Sequence, residues 1–236
     1  MKIINFLYPT ICSNCSQPGE YLCAECKKKL TPHPEICPYC HTFNKFYQTC
    51  FTCKNKKNSH LEGLMIVFSY DKILKNLIYK VKYFHKKDIA NFLAQRLYLL
   101  IQTNQLLQYQ TQVLKKKIII SYVPSHRYRK YFVKGYNQSQ IIAKKLASKM
   151  GRKFVDIVKK SKKTKAQALL NKDQRESNLI NSFEIRKNLS LKGDEIVIIV
   201  DDITTTGSTL NEIAKTITKK YPQIFVRGVV LGRNNK

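Results

Sequence analysis

All eight cysteines of this 236-residue chain fall before residue 54, as four Cys-x-x-Cys pairs: Cys12/Cys15, Cys23/Cys26, Cys37/Cys40 and Cys50/Cys53. Two sulfurs at that spacing on a tight turn face one metal ion, and two such turns complete a tetrahedral site of four sulfurs. A disulfide framework needs an oxidising compartment. The opening MKIINFLYPTIC has a short apolar run interrupted by Pro9, which is not the pattern of a secretory signal. A thioredoxin-like redox pair is one Cys-x-x-Cys beside a βαβ unit, not four in tandem. Zinc is therefore the expected metal, with all eight cysteines as its ligands. Two pairings satisfy the spacing: sequential ribbons (Cys12/Cys15/Cys23/Cys26 and Cys37/Cys40/Cys50/Cys53) or cross-braced sites. His41, beside Cys40, reads as a solvent-facing side chain rather than a further ligand. Some fifty residues bury too little apolar surface to fold alone, so the metal supplies folding energy.

Beyond the Lys- and Asn-rich stretch at 54–59 the cysteines stop and the pattern changes. The chain thus divides into residues 1–58, a double zinc-ribbon module, and residues 59–236, a larger domain. LMIVFSY (64–70) reads as a strand, followed by basic helical periodicity to about Lys82, and NFLAQRLYLLIQ (91–102) as an apolar-faced helix. IIISYV (118–123) is a short buried strand halted by Pro124, and NQSQIIAKKLASKM (137–150) is a helix stopped at Gly151. FVDIV (154–158), IVIIV (196–200) and IFVRGVVL (224–231) complete the strands. Strands alternating with helices predict an α/β fold: a parallel sheet flanked by helices, with ligand loops at the carboxyl ends of the strands. No segment approaches the roughly 20 apolar residues of a membrane span, so a soluble, cytoplasmic protein is expected.

The sharpest chemistry lies in IVIIVDDITTTGSTL (196–210). Five β-favouring apolar residues run into Asp201 and Asp202, then into Thr204, Thr205, Thr206, Gly207, Ser208 and Thr209. Set between a strand and the helix NEIAKTITKK (211–220), residues 205–209 aim backbone N–H and hydroxyl groups at one phosphate, aided by the helix dipole. Gly207 permits the close approach that a side chain would block. Adjacent carboxylates repel a phosphate, so they face another part of the ligand. Vicinal sugar hydroxyls suit them, with a nearby Mg2+ offsetting the charge. The loop thus asks for a ribose 5-phosphate. Neither G-x-x-x-x-G-K-[ST] nor G-x-G-x-x-G occurs anywhere in the chain. An acid pair that only capped the helix would not need the small residues after it. Ser125, His126 and Arg127, in the basic turn after strand 118–123, would stand beside this loop and are candidates to bind a further anionic group of the ligand.

Residues 197–209 resemble the signature of the type I phosphoribosyltransferases: four apolar residues, two acids, two variable residues, then T-T-G-x-T. The resemblance implies that fold. It also implies that Asp201 and Asp202 hold the ribose hydroxyls of phosphoribosyl pyrophosphate (PRPP) with Mg2+, as the catalytic acids, while the threonine-rich loop binds its 5-phosphate. YVPSHRYRKYFVKGYNQSQIIAKKLA (122–147) resembles the V-P…R-G-F-N-Q block of the ComF family, with Lys134, Gly135, Tyr136, Asn137 and Gln138 in the last five places. KAQALLNKDQRESNLINSFEI (165–185) is similar to that family's T-x-x-Q…R…N…F block through Gln167, Arg175, Asn178 and Phe183. A double zinc ribbon ahead of a phosphoribosyltransferase domain is also that family's layout. The departures are Lys134 for Arg, Tyr136 for Phe, and His41 where a glycine often follows the third Cys-x-x-Cys; lysine cannot reproduce a bidentate guanidinium contact.

The family resemblance implies a competence protein for natural transformation. Such a protein handles incoming single-stranded DNA in the cytoplasm or at the inner face of the cytoplasmic membrane, and PRPP or pyrophosphate is its small ligand. A competence helicase and a recombination mediator are the partners it implies. The alternative is a phosphoribosyltransferase of nucleotide salvage or biosynthesis, a pentosyl transferase whose acceptor no segment declares. Charge bears on the choice: 43 Lys and Arg against 15 Asp and Glu give +28, and residues 115–165 hold seventeen of those cations and one acid, Asp156. Such a surface attracts polyanions. Tyr122, Tyr128, Tyr131, Phe132 and Tyr136, interleaved with those cations, form a candidate stacking groove for a single strand. Phe132 and Tyr136 suit packing within the domain better.

Overall fold

In a computed structural model, residues 10–56, 59–84, 87–125, 136–161 and 179–234 are described. In chain order the elements are α1 (Ala24–Lys28), α2 (Phe51–Lys56), β1 (Gly63–Ser69), α3 (Lys72–Phe84), α4 (Lys87–Gln102), α5 (Gln105–Gln112) and β2 (Lys117–Tyr122). There follow α6 (Gln138–Met150), β3 (Lys153–Phe154), β4 (Val158–Lys160), β5 (Phe183–Ile185), β6 (Glu195–Thr204), α7 (Ser208–Lys220) and β7 (Phe225–Arg233). Five strands form one sheet in the order β1-β7-β6-β2-β3, every neighbouring pair parallel.

The apolar run of β6 is buried on both faces, as a central parallel strand requires. Ile196, Ile198 and Val200 join one buried cluster with α3, α4 and α6, while Val197 and Ile199 join a second with Leu210, Ile213, Ala214 and Ile217 of α7. The period-2 alternation of a strand makes this division, and the result is a three-layer sandwich. Helix α6 is delimited as its sequence demands. Asn137 Oδ1 caps Gln140 N (3.3 Å), and Gly151 ends the helix in the left-handed region at φ 59°.

Connections from β2 lead outward through α6 to β3, whereas those from β6 lead the other way through α7 to β7. The carboxyl ends of β2 and β6, which lie side by side, are therefore the point where the winding reverses, and open α/β sheets bind ligands in that crevice. The expected strand at 154–158 is instead two short pieces. β3 pairs parallel with β2 at only two positions, and β4 pairs antiparallel with β5. Between them Asp156 leaves the ladder to bind Arg186 Nη2 (2.8 Å). Helix α5, capped by Asn104 Oδ1 on Leu107 N (3.0 Å), was not foreseen in the sequence pattern. Among the described residues no helix is long and apolar enough to cross a membrane.

Candidate functional site

The cysteines gather sequentially, as Cys12/Cys15/Cys23/Cys26 and Cys37/Cys40/Cys50/Cys53, the sulfurs of each set lying within 4.8 Å of one another. The cross-braced alternative is thereby set aside. Zinc–sulfur bonds of about 2.3 Å in a tetrahedron put neighbouring sulfurs about 3.8 Å apart. Cys15 and Cys23 stand at 3.6 Å and Cys40 and Cys50 at 3.7 Å, so the donor sets fit the ion. Backbone N–H groups point at the ligands, from Cys23 to Cys12 Sγ (3.5 Å) and from Cys50 to Cys37 Sγ (3.4 Å). Both sets can hold zinc. His41 has φ 63°, in the left-handed region where glycine is easiest and histidine among the tolerated residues. It is not a ligand; its Nε2 lies 2.7 Å from Arg233 Nη2.

At the carboxyl edge β6 delivers Asp201 and Asp202 to opposite sides. Asp201, half-buried, accepts from Ser139 Oγ (2.8 Å) and from the N–H of Asp202 (2.9 Å), and it borders the phosphate-loop cavity. Asp202, buried, accepts Lys82 Nζ at 2.6 Å and Gln138 Nε2 at 2.9 Å on one oxygen, and Ile203 N at 2.8 Å on the other. Burial, and then the neighbouring Asp202 carboxylate, push Asp201 up to about 8. Burial alone would raise Asp202 too, but the Lys82 ammonium and its hydrogen bonds hold it below the ordinary carboxylate range. Near neutrality the pair therefore carries close to one negative charge, with Asp202 ion-paired and Asp201 open to a ligand.

The loop after the acids is shaped by its own hydroxyls. Thr204, buried, accepts Gly207 N at 3.1 Å, and Thr206 Oγ1 and Ser208 Oγ share a 2.6 Å bond. Gly207 turns the chain at φ 80° and becomes the N-cap of α7. Thr204, Thr205, Thr206, Gly207, Ser208 and Thr209, with Asp201, Ile203 and Leu179, enclose a cavity of about 80 Å3. At about 30 Å3 per water, that space suits a group of phosphate size at a helix N-terminus.

Ser125 stands two residues past Val123, whose N–H bonds Val200 O at 3.0 Å, which puts it beside the acid pair's strand. His126 and Arg127 lie outside the described residues, as do Tyr128, Tyr131, Phe132, Lys134, Gln167, Arg175 and Asn178. The reading of Tyr122 as a base-stacking residue is corrected. Its ring is 5 % exposed, stacked on Phe154 at 5.7 Å, with its hydroxyl pushed up to about 12 by burial and then by Asp156. Tyr136 bonds Val81 O. Lys82 and Ser139, both on the acid pair, were missed. Ser139 adjoins the Asn137-Gln138 dipeptide and was within reach of the motif; nothing marked Lys82 among the many lysines of α3.

A parallel sheet carrying an acid pair and a loop cavity lined by threonines and serine at its switch point is the arrangement of the phosphoribosyltransferase fold. The profile of the Phosphoribosyl transferase domain matches residues 135–236. Relatives extend the likeness well beyond that domain. Competence protein F of Haemophilus influenzae is 32% identical over 200 residues, 84% of each chain, and DNA utilization protein YhgH of Escherichia coli (strain K12) is 29% identical over 215, covering 89% of this chain and 91% of its own. Competence protein ComFC of Bacillus subtilis is 24% identical over 228 residues, 92% of this chain and 86% of its own. The chain belongs to the ComF family.

Proposed function

We propose that this chain is a competence protein that handles incoming single-stranded DNA in the cytoplasm and holds PRPP or pyrophosphate with Mg2+ at the carboxyl edge of its sheet. Residues 1–58 act as a double zinc ribbon and residues 59–236 as the ligand-binding domain. The observation that carries the small-ligand half is the division of labour in the acid pair: Asp201 faces the phosphate-sized cavity while Asp202 is anchored to Lys82 and Gln138. In this reading Asp201 and Asp202 hold the ribose hydroxyls, Thr204 to Thr209 hold the 5-phosphate, and Ser125, His126 and Arg127 receive the pyrophosphate. A bound Mg2+ would supply counter-charge to the pyrophosphate, while Lys82 already offsets Asp202.

The names of the relatives and the +28 charge support the DNA half. Exposed rings suited to stacking lie on α3, where Tyr79 and Tyr83 pair at 4.5 Å between centroids, in line with exposed Lys72 and Lys75. Single-stranded DNA binding should weaken by at least about tenfold between 50 and 200 mM salt, and no detectable binding at low salt removes this half of the proposal. Replacing Asp201 and Asp202 together by alanine should abolish PRPP·Mg binding by calorimetry and lower transformation. Normal transformation would separate the sugar-phosphate site from DNA uptake. Turnover with a nucleobase panel, read as pyrophosphate release, would instead favour a salvage phosphoribosyltransferase.

A further inference from the structure

The second ribbon touches the strand paired with one flank of the phosphate loop and the helical turn that follows the other. Arg233, the last residue of β7, lies opposite Thr204 in the register, and Asn234 N donates to Thr204 O at 2.8 Å. Arg233 is 3 % exposed, and its Nη2 meets Pro38 O (2.7 Å) and His41 Nε2 (2.7 Å). Its Nε and Nη1 find no acceptor among the described residues. Burial pushes the Arg233 guanidinium below its ordinary range, with Cys37 and then Tyr39 of the second ribbon acting in the opposite direction. A buried guanidinium without counter-charge is costly. Four thiolates around Zn2+ carry two net negative charges, so a loaded second ribbon supplies what Arg233 lacks.

On the other flank, Tyr39 of the same Cys-Pro-Tyr-Cys knuckle donates to Asn211 Oδ1 at 3.1 Å and accepts from Ser59 Oγ at 2.8 Å. Asn211 Oδ1 also accepts His60 N (2.9 Å). The N–H of Asn211 closes the first turn of α7 on Gly207 O at 2.9 Å. One knuckle thus holds the end of β7, which is paired with the strand end before the loop, and the helical turn after it. The first ribbon's hydrogen bond to the α/β domain, from Asn76 Nδ2 to Ser13 O (3.5 Å), lies on α3 instead.

We propose that the second four-cysteine cluster is a positioning device for the phosphate loop, with Arg233 and Tyr39 coupling metal occupancy to the conformation of residues 205–209. The inference deepens the sugar-phosphate reading and rests on it for the ligand. Tyr39 and Arg233 are positioning residues, since neither lines the cavity.

The test uses the full-length, zinc-loaded protein and three readouts: zinc per chain, hydrogen exchange of amides 204–211, and calorimetric affinity for PRPP with Mg2+. Cys15→Ser should lose one zinc and leave loop exchange and affinity within about twofold. Cys40→Ser should lose one zinc, accelerate exchange at 205–209 and weaken PRPP at least tenfold. Tyr39→Phe should keep both metals and an unchanged melting temperature within a few degrees, yet weaken PRPP about three- to tenfold, the worth of one hydrogen bond. Arg233→Lys, which keeps the charge, should bind PRPP better than Arg233→Met. If Cys40→Ser fails to fold, Tyr39→Phe decides. Loop exchange and PRPP affinity equal to wild type in Tyr39→Phe overturn the proposal. Should wild type not bind PRPP while Tyr39→Phe still loosens the loop, the clamp stands and the ligand assignment falls.

Discussion

The two ribbons share a cysteine spacing and a turn geometry but are fastened to the α/β domain by different forces. Each has a left-handed residue just after its first pair, Ser16 at φ 62° and His41 at φ 63°, and each closes that turn with a 3.1 Å bond, Ser16 N to Cys12 O and His41 N to Cys37 O. Beyond that they diverge. Cys12, Leu22, Cys26 and the following Leu30 join the buried cluster of Leu74, Leu77, Ile89 and Leu93, so the first ribbon is glued by apolar burial. The second adds one ring, Tyr47, to that cluster and is otherwise pinned by polar contacts. Thr49 Oγ1 reaches Leu61 O at 2.6 Å, Thr49 N reaches Glu62 O at 2.9 Å, and Arg233 and Tyr39 add the contacts at the loop. Gly63 lets this seam close, because a Cβ there would strike Tyr47 O. Apolar burial is non-directional and holds a module in place; hydrogen bonds are directional and hold it in register. One ribbon is therefore suited to stabilise and the other to position.

The largest expected effect lies in the ligands themselves. Cys26→Ser and Cys53→Ser should each lose one of two zinc ions, because the sets are sequential, and each should lower the melting temperature by roughly 10 °C or more, given the size of structural-zinc binding energies. Loss of both ions from a single substitution would break the pairing. Next comes Leu22→Ala in the first ribbon. Truncating a side chain this buried costs about 2–4 kcal/mol, and denaturant titration should show it with PRPP affinity unchanged. A matching fall in affinity would mean that the first ribbon also positions the loop. Smaller still is Thr49→Val in the second ribbon, a near-isosteric change that deletes the bond to Leu61 O. It should cost about 1 kcal/mol and, unlike Leu22→Ala, loosen PRPP binding measurably.

Which parts of this were legible in the chain follows from the range of the interactions. Cysteine spacing reported the metal ligands but left sequential and cross-braced sets both open until the structure grouped them, whereas the acid pair and its loop are contiguous from Asp201 to Thr209. The alternation of strands and helices reported a parallel sheet with ligand loops at its carboxyl ends, but the order β1-β7-β6-β2-β3 rests on pairings between distant segments. What escaped notice depends on residues far apart. Lys82 reaches Asp202 from a helix whose other lysines look the same, and Tyr39 meets Asn211 across 172 positions. Tyr122 was misjudged for a related reason: aromatic and basic residues interleaved along a sequence need not share a face once a strand alternates its side chains, and Phe154 covers this one. The Asn137-Gln138 dipeptide was legible as a motif but not in its roles, which are a helix cap and a brace on Asp202.

The acid pair offers the most selective check on the comparison, because the hydrogen bonds of its carboxylates come from neither ribbon. Burial, and then the Asp202 carboxylate, push Asp201 in the folded chain up to about 8 from its ordinary 3.8. Between about pH 4 and 8 the folded state holds the extra proton, so wild-type stability should fall as pH rises through that window and level off above it. Asp202 has the opposite sign: lowered by Lys82, its contribution is present above its ordinary value and is lost on further acidification. Asp201→Asn removes the first slope and keeps the second. Its advantage over wild type, read from melting temperatures, should grow from pH 4 to pH 8 and then hold. If the second ribbon only positions the loop, Tyr39→Phe should retain the wild-type slope while losing PRPP affinity. Disappearance of the slope in Tyr39→Phe would mean that water has entered the acid site, and that this ribbon keeps the site closed rather than merely aligned.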